Sequence, residues 1–291
     1  MLLVVLLLAV PAYWWLLVES GTPTATFLID LSELRALADA MPGDKPETIR
    51  VEEMEQVELP RVAVLAGAGW TFVKLPVFSY QLGFADRTVM VDTSLDPAAV
   101  KDPSPAQLEA FARVSAALEK ASTIVVTHEH FDHVGGLFTH PRRDQLAAKL
   151  TDEQLADPRK YEPLVLPAGA FKNRVPFSYE RAVAIAPGVV LWKAPGHTPG
   201  SQLVFIKRQD GEEFLLLGDV AWHSVNYEQV RQRARLVTLI IGEDRSAVLS
   251  QLAAVNALAA AEPKLHLVPG HDGPAMKKLL EAGLFTSHFA P

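Results

Sequence analysis

Short apolar runs alternate with polar stretches along most of this chain, and the spacing of the apolar positions has two periods. Runs at 72–82, 88–91 and 123–126 are rich in β-branched and aromatic residues and are too short for helices, so they predict strands. Segments 106–120 and 244–261 carry apolar residues at helical spacing and predict helices. The first half of the chain therefore mixes strands and helices within one pattern.

The second half repeats this order, with apolar runs bounded by Gly, Pro and Asp. The runs predict strands at 182–185, 189–193, 203–207, 214–217 and 265–268. Strands come first in each half, with helices between and after them. This order predicts an α/β fold in which two sheets pack together with helices on both outer faces.

The region ahead of the first long strand carries weaker signals. It predicts a helix at 31–40, an extended segment at 48–57 and a short strand at 62–65. Charged and apolar residues alternate in the extended segment, which favours an edge strand or a wrap across the domain. We therefore expect residues 21–61 to form an extension and residues 62–291 the domain itself.

Residues 2–18 are apolar without a charge, and Trp14 and Trp15 lie near the end of the run. Seventeen helical residues span about 25 Å, which is short for a membrane helix and long for a signal-peptide core. The run therefore predicts, within residues 1–20, a membrane anchor, a cleaved signal, or a helix packed on the protein itself or on a second copy in a dimer. The first two place the domain outside the cytoplasm, either membrane-anchored or secreted to the periplasm.

Charge and composition exclude some functions. The chain has 34 acidic and 27 basic residues and a net charge of -7, which disfavours nucleic acid as a partner and leaves a small molecule as the expected substrate. It contains no cysteine, so any metal ion must be held by nitrogen and oxygen atoms.

The strand at 123–126 leads directly into a dense polar cluster. His128, His130, Asp132 and His133 follow within eight residues, and Gly135-Gly136 opens the next element. Alternate side chains of an extended segment share a face, so His128, His130 and Asp132 are expected to point the same way. Three imidazoles and a carboxylate at this spacing are typical of metal ligands.

The pattern His128-x-His130-x-Asp132-His133 resembles the signature of the metallo-β-lactamase-fold hydrolases. The resemblance extends to four other segments in the family's order, at 89–93, 194–201, 215–219 and 268–271. It implies the αββα sandwich of that family, with two mixed β-sheets flanked by helices.

The resemblance also implies a dinuclear centre. The first site would be formed by His128, His130, His197 and Asp219, and the second by Asp132, His133, His271 and the same Asp219, which bridges the two metal ions. Asp132 and Asp219 are the candidate catalytic residues. Zinc is the expected metal in both sites, with manganese, iron and cobalt as alternatives, and each site keeps an open position for a shared water.

Three further side chains are candidates for roles around this centre. Asp92 closes the strand at 88–91, and the resemblance places it beside the metal ligands as a hydrogen-bond acceptor. Trp222 and His223 follow Asp219 in the loop leaving the strand, and such loops carry binding residues. We expect both to contact substrate.

An insertion at about 139–179 follows the first ligand motif and is rich in charge. Its position predicts a lid over the cleft, with Phe171, Phe177 and Tyr179 as wall residues. Thr151 and Gln154 predict a capping box within it. Since we find no cluster of Arg or Lys near the ligands, the substrate is expected to be uncharged or modestly apolar.

These features predict hydrolysis of a lactone or an ester by a metal-bridging hydroxide. The alternatives within the family are a thioesterase of the glyoxalase II type, a cysteine-free β-lactamase and an organophosphate hydrolase. An iron-dependent redox enzyme is the alternative from another class. Quorum-quenching lactonases carry a Tyr three residues after the bridging Asp, and Trp222 in its place argues against specificity for acyl-homoserine lactones.

Overall fold

Two five-stranded β-sheets face each other in the computed structural model, which describes residues 9–290. The first sheet has the strand order β10-β1-β2-β3-β4. Its β1–β2 and β2–β3 pairs are antiparallel, whereas β3–β4 and β1–β10 are parallel. Its strands are β1 (Thr48–Pro60), β2 (Phe72–Gly83), β3 (Thr88–Val91), β4 (Thr123–Val125) and β10 (Thr286–Ser287).

The second sheet follows the order of the chain, β5-β6-β7-β8-β9. All of its pairs are antiparallel except β8–β9, which is parallel, so both sheets are mixed. Its strands are β5 (Ala182–Ala186), β6 (Val189–Lys193), β7 (Gln202–Lys207), β8 (Glu213–Gly218) and β9 (His266–Pro269).

The helices lie mainly on the two outer faces. Residues 9–13 are α-helical and continue into a π-helical turn at Trp14–Val18, and we call this segment α1. The others are α2 (Leu31–Ala40), α3 (Arg61–Val64), α4 (Pro105–Lys120), α5 (Phe131–Phe138), α6 (Glu153–Ala156), α7 (Ser224–Glu228), α8 (Arg235–Ile241), α9 (Arg245–Ala261) and α10 (Gly273–Glu281).

Alternation along the strands builds three apolar layers. In β3, Val89 and Val91 face the second sheet, while Met90 faces α4 and α5 on the outside. In β7, Val204 faces the first sheet, while Phe205 faces α2 and α9. Because both faces of these strands are buried, they appear in the sequence as continuous apolar runs. The predicted αββα sandwich is confirmed.

The structure corrects one prediction about the start of the domain. Residues 61–64 form the helix α3 and not a strand, because Pro60 closes β1 and a run of four buried apolar residues fits either structure. Residues 21–61 reach both sheets of the domain. Their helix α2 packs on the second sheet, and β1 pairs along its whole length with β2.

The described part of the N-terminal apolar run packs on the protein's own surface. Gly67 donates its backbone N–H to the carbonyl of Leu17 over 2.8 Å, and α1 contacts α3 and α8. Residues 2–8, which carry the rest of the predicted anchor or signal, lie outside the described residues. Between residues 9 and 290 we find no helix with the length and apolar character needed to cross a bilayer.

Glu52 of β1 ties the C-terminal tail to the first sheet. Its buried carboxylate accepts hydrogen bonds from Arg113 Nε over 2.6 Å and from the backbone N–H of Phe289 over 2.8 Å. Burial opposes ionisation, but these donors outweigh it and hold the pKa of Glu52 below its ordinary value of 4.5. A lowered folded-state pKa stabilises the fold above the unfolded-state pKa, and this contribution is lost as the pH falls through the folded-state value.

We therefore expect Glu52→Gln to lower the free energy of unfolding at pH 7 by about 1–3 kcal/mol. The difference from the parent should shrink at pH values below the lowered pKa, where the parent also carries a neutral group. Urea unfolding at neutral and acidic pH measures both. Glu58→Gln, at an exposed position of the same strand, is the control, and equal losses in the two variants would contradict the prediction.

Candidate metal centre

Loops from both sheets meet at one end of the sandwich. The parallel pairs β3–β4 and β8–β9 bring their carboxyl ends side by side, with Val91 opposite Val125 and Gly218 opposite Pro269. Every predicted ligand follows a strand that ends here. The segments after β3, β4, β6, β8 and β9 carry Asp92, the residues 128–133, His197, Asp219 and His271, respectively, with Asp132 and His133 in the first turn of α5.

The first cluster consists of His128, His130, His197 and Asp219, with one potential ligand atom from each within 4.8 Å of the others. The Nε2 atom of His197 lies 3.2 Å from Asp219 Oδ2 and 2.9 Å from His130 Nδ1. His128 Nε2 lies 3.7 Å from the same carboxylate oxygen. The structure thus brings together the residues predicted for the first site.

The second cluster consists of Asp132, His133 and His271. The other oxygen of Asp219, Oδ1, lies 3.0 Å from His271 Nε2 and 3.5 Å from His133 Nε2. Asp132 Oδ2 completes the cluster at 3.7 Å from His133 Nε2 and 3.8 Å from His271 Nε2. Asp219 therefore presents one oxygen to each cluster, as a bridging carboxylate would.

Unpartnered polar atoms test whether these residues fit metal ions. His128 Nε2, His133 Nε2 and Asp219 Oδ1 are buried and have no hydrogen-bond partner within the described part of the chain. Burying such atoms without a partner costs several kcal/mol. A cation at each cluster would satisfy them, and imidazole nitrogens with carboxylate oxygens are donors that zinc and its neighbours in the first transition row accept. The donor set fits two metal ions.

Asp92 orients the imidazole of His133 by contacting the ring nitrogen that faces away from the second cluster. Its Oδ2 lies 2.9 Å from His133 Nδ1, which leaves Nε2 of the ring directed at the second cluster. The same carboxylate accepts the backbone N–H of Thr127 over 2.6 Å and the Thr127 hydroxyl over 2.9 Å. Asp92 thus fixes both the ring and the loop that precedes it, which matches its predicted position beside the ligands.

Glu243 has the same relation to His197. Its Oε2 lies 2.7 Å from His197 Nδ1 and accepts a hydrogen bond from Arg233 over 2.9 Å. All three side chains are buried. Burial opposes ionisation of Glu243, but Arg233 and His197 lower the pKa of its carboxyl below the ordinary value, so it is present as a carboxylate.

Glycines allow the ligand loops to approach each other. A Cβ on Gly136 would lie 2.1 Å from the carbonyl oxygen of Thr93, so only glycine lets α5 pack against the loop after β3. A Cβ on Gly270 would lie 2.5 Å from Asp219 Oδ1. Replacing either glycine would displace a ligand loop.

The two clusters differ in their electrostatics. Burial and the neighbouring imidazoles lower the pKa of His128 and of His130, so both are neutral, as ligands must be. Burial also opposes protonation of His133, but the carboxylates of Asp132, Asp92 and Asp219 outweigh it and raise its pKa to about 10. The carboxylates therefore give the second cluster a strong attraction for cations.

A cleft of about 340 Å³ opens beside the two clusters. Ligands from both clusters form its floor, and apolar side chains from five parts of the chain form most of its walls. The wall residues are Val57 and Leu59 of β1, Leu75 and Val77 of β2, Phe131, Trp222, and Ile240 and Ile241 of α8.

Trp222 lies on the cleft wall, where it was predicted. Its indole Nε1 donates to Asp219 Oδ2 over 2.6 Å, and the guanidinium of Arg233 lies 4.3 Å from the ring centroid on one face. The bond fixes the ring at the edge of the first cluster. An aromatic wall is therefore anchored directly to the shared carboxylate.

His223 does not reach the cleft, contrary to the prediction. The chain turns into α7 after His223, and the ring faces Asp272, whose Oδ2 lies 3.6 Å from Nδ1. There it lines a separate small cavity with Arg61 and Val73.

The predicted lid is only partly correct. Phe171 packs into the outer core of the first sheet, and Phe177 and Tyr179 pack against the core between the sheets. None of the three lines the cleft, because burial of these rings draws them inward. The Thr151–Gln154 capping box is present and joins α6 to the loop at Gly200.

The insertion instead contributes charged side chains to the rim of the cleft, namely Arg159, Lys160 and Glu162. Two neighbouring basic residues thus line the cleft, which corrects the expectation that no cluster of Arg or Lys lies near the ligands. The Lys160 Nζ atom donates to the carbonyls of Ile241 and Gly242, each over 2.9 Å, and so holds the end of α8 at the cleft.

Three buried residues around the ligands carried no signal in the sequence. Glu243 and Arg233 lie in loops with no motif around them. Glu129, inside the ligand motif, accepts from the Thr198 hydroxyl over 2.6 Å and from the backbone N–H of Gly200 over 3.1 Å, and thereby joins two ligand loops. Only the spacing of Glu129 between two ligands could have drawn attention to it.

The sandwich and the two adjoining clusters define a dinuclear metallohydrolase centre at the carboxyl ends of mixed-sheet strands. The family model of the metallo-beta-lactamase superfamily matches residues 73–271, and the chain belongs to that superfamily.

Among curated proteins, an N-acyl homoserine lactonase of Bacillus thuringiensis is 28% identical over 180 residues, which cover 54% of this chain and 68% of that protein. One from Bacillus cereus is 28% identical over 181 residues, with the same coverage.

Solved structures show the same fold. A quorum-quenching N-acyl homoserine lactone lactonase superposes with a TM-score of 0.63 at 21% identity and covers 80% of this chain and 95% of its own. AidC, a dizinc quorum-quenching lactonase solved with a product, superposes with a TM-score of 0.57 at 14% identity and covers 79% of this chain and 89% of its own.

Proposed function

We propose that this protein is a dizinc hydrolase of lactones that carry an apolar substituent, with simple esters as secondary substrates. The observation that supports it most directly is the cleft, where ligands of both clusters form the floor and eight apolar side chains form the walls. A polar ring at the floor and an aliphatic or aromatic tail along the walls would fill such a site. Relatives named as N-acyl homoserine lactonases support the same class.

Two bound metal ions would supply a nucleophilic hydroxide at neutral pH and polarise the carbonyl oxygen of the ring. The protein's own residues position and shield that chemistry. Asp219 holds one oxygen toward each cluster, and Trp222 fixes it by donating to Oδ2. The apolar walls make the surroundings of the floor less polar, which would strengthen charge interactions there.

Trp222 is the feature that distinguishes this cleft from that of lactonases with a Tyr at this position. An indole presents one N–H donor, which Asp219 already occupies, and a large apolar face. It would select for substrates by shape and apolar contact. We therefore propose a preference for aliphatic and aryl-substituted lactones in general over acyl-homoserine lactones in particular.

A substrate panel tests this proposal. Zinc- and manganese-loaded enzyme is assayed with aliphatic lactones, acyl-homoserine lactones, aryl esters, a glutathione thioester, an organophosphate triester and a chromogenic cephalosporin. We expect the highest kcat/KM for a lactone. A thioester or cephalosporin about tenfold above every lactone and ester, a transition-state preference of about 1.4 kcal/mol, would contradict the assignment.

Trp222→Ala should change the ranking of substrates by kcat/KM in this panel while metal content stays the same. The substitution removes a side chain of the cleft wall and none of the metal ligands. Phe177→Ala is the control, since Phe177 packs away from the cleft. Metal loss without a changed order would mean that Trp222 acts only through Asp219.

The metal identity is part of the proposal. Two zinc ions per chain after expression without added metal support hydrolysis, whereas one iron per chain and oxygen consumption would support the redox alternative. The three ligands of the second cluster favour two ions, because a single-iron enzyme would leave these buried groups without a charge partner.

The apolar run at 2–18 supports a proposal on location, namely a membrane-anchored or periplasmic protein with its catalytic domain outside the cytoplasm. Fractionation of cells that express the full chain tests it. Recovery of all the protein in the cytoplasmic fraction would contradict it.

A further inference from the structure

Helix α8 turns an apolar face to the solvent. Leu236, Leu239 and Ile240 lie at spacings of three and four residues and therefore share one side of the helix. Their side chains are 42%, 60% and 75% exposed, whereas Thr238 on the opposite side is buried. A row of large aliphatic side chains left in water on one helix face marks an interaction surface.

Helix α1 adds exposed aromatic residues beside α8. Tyr13, Trp14 and Trp15 are each about half exposed, and α1 contacts α8 directly. The guanidinium of Arg235 in α8 lies 4.7 Å from the ring centroid of Trp15, and its Nε donates to the Trp15 carbonyl over 3.3 Å. We call the six apolar and aromatic residues of the two helices, 13–15, 236, 239 and 240, the mouth face.

The mouth face borders the entrance of the cleft. Ile240 belongs to both, since it lines the cleft and is the most exposed residue of α8. Lys160 holds the adjoining end of α8 at the rim through two carbonyls. A partner on the mouth face would therefore lie next to the opening through which substrate enters.

The chain itself indicates what covers this surface. Residues 2–8 read Leu-Leu-Val-Val-Leu-Leu-Leu and join α1 directly. Seven consecutive apolar residues are unfavourable in water, as is the exposed mouth face, and a lipid surface accommodates both. Trp and Tyr, which make up half of the mouth face, are the residues enriched at membrane–water interfaces.

We propose that the mouth face docks on a lipid surface, so that the cleft opens beside the membrane and apolar substrates enter it from the lipid. Docking of the surface does not depend on the lactone assignment; only the entry route rests on the proposed function. The proposal also differs from an anchor formed by the first residues alone, because it places α8 in contact with lipid.

The absence of cysteine in the chain allows a direct test. Leu239→Cys is labelled with an environment-sensitive nitrobenzoxadiazole dye and mixed with phosphatidylcholine vesicles. The control is Val165→Cys, labelled identically at a position 89% exposed on the insertion. We expect the emission at 239 to move to shorter wavelength and gain intensity with vesicles, and the emission at 165 to stay unchanged.

Two results would overturn the proposal. An unchanged emission at 239 on protein that sediments with the vesicles would mean that the anchor alone touches lipid. A shift at 239 that grows with protein concentration in the absence of vesicles would mean that a second copy of the chain covers the face.

A pair of double variants gives an independent measurement. Leu236→Gln with Leu239→Gln makes the centre of the mouth face polar, and Val165→Gln with Val175→Gln makes the same number of changes at exposed positions elsewhere. The first pair should lower partitioning into phosphatidylcholine vesicles by about tenfold, and the second should leave it unchanged. Full metal content shows that each variant is folded, and equal partitioning of the two would overturn the proposal.

Discussion

Replacing His271 with alanine should abolish hydrolysis, with a loss of kcat/KM of at least about 1,000-fold, while the first cluster keeps its metal ion. The reason is that the second cluster has three ligands of its own besides the shared Asp219, and His271 Nε2 lies 3.0 Å from Asp219 Oδ1, nearer than His133 Nε2 at 3.5 Å. His128→Ala should have a loss of the same size by emptying the first cluster. Metal content per chain and kcat/KM measure the two effects together.

The control for both variants lies on β9, the strand that leads to His271. His266 of β9 is partly exposed, and its Nε2 pairs with Glu212 over 2.9 Å, away from the clusters. His266→Ala should therefore retain two metal ions and its activity. Full metal occupancy with near-normal activity in His128→Ala or His271→Ala would contradict the ligand assignment.

The ligands were predictable because each follows an apolar strand with a polar side chain that has no reason to be buried. Asp219 after 215–217 and His271 after 265–268 are examples, since a bare buried carboxylate or imidazole is costly. The parallel pairing of β8 with β9 then places Asp219 and His271 side by side. Polar residues at the ends of apolar strands therefore predict both which residues form the site and where in the fold it lies.

The walls of the cleft were not predictable in the same way. Val57, Leu75 and Ile240 are ordinary aliphatic residues of strands and a helix, and only the tertiary fold turns them toward the metal ligands. The aromatic residues of the insertion were mistaken for wall residues because large rings satisfy either role, and here core packing prevails. Prediction of α3 as a strand failed for a related reason, since four buried apolar residues carry no period.

The charged residues that lie behind the ligands, Glu243 and Arg233, could not be predicted from the sequence. Glu243 and Arg233 lie ten residues apart in irregular chain on either side of α8, and their 2.9 Å pairing depends on how that helix sits between them. No local pattern predicts such a pair. Both residues contact ligands: Glu243 contacts His197, and Arg233 donates to the backbone carbonyl of Asp219.

Glu243→Gln should weaken metal binding at the first cluster by about 10- to 100-fold and leave the second cluster unchanged. Glutamine keeps the shape of the side chain but removes the negative charge that lies 2.7 Å from His197 Nδ1 and makes that ring a stronger ligand. It also leaves the buried guanidinium of Arg233 without its carboxylate, which should lower the free energy of unfolding by about 3–5 kcal/mol.

These two effects can be separated with a second substitution. Arg233→Met, combined with Glu243→Gln, removes the unpaired charge and should recover much of the stability, because a buried pair can often be replaced by apolar or neutral groups of similar volume. It should not restore metal affinity, since His197 still lacks its carboxylate. Urea unfolding and metal competition with a chromophoric chelator measure the two quantities on each variant. If affinity recovers together with stability in the double variant, Glu243 serves only the packing around His197, and the carboxylate does not tune the metal ligand.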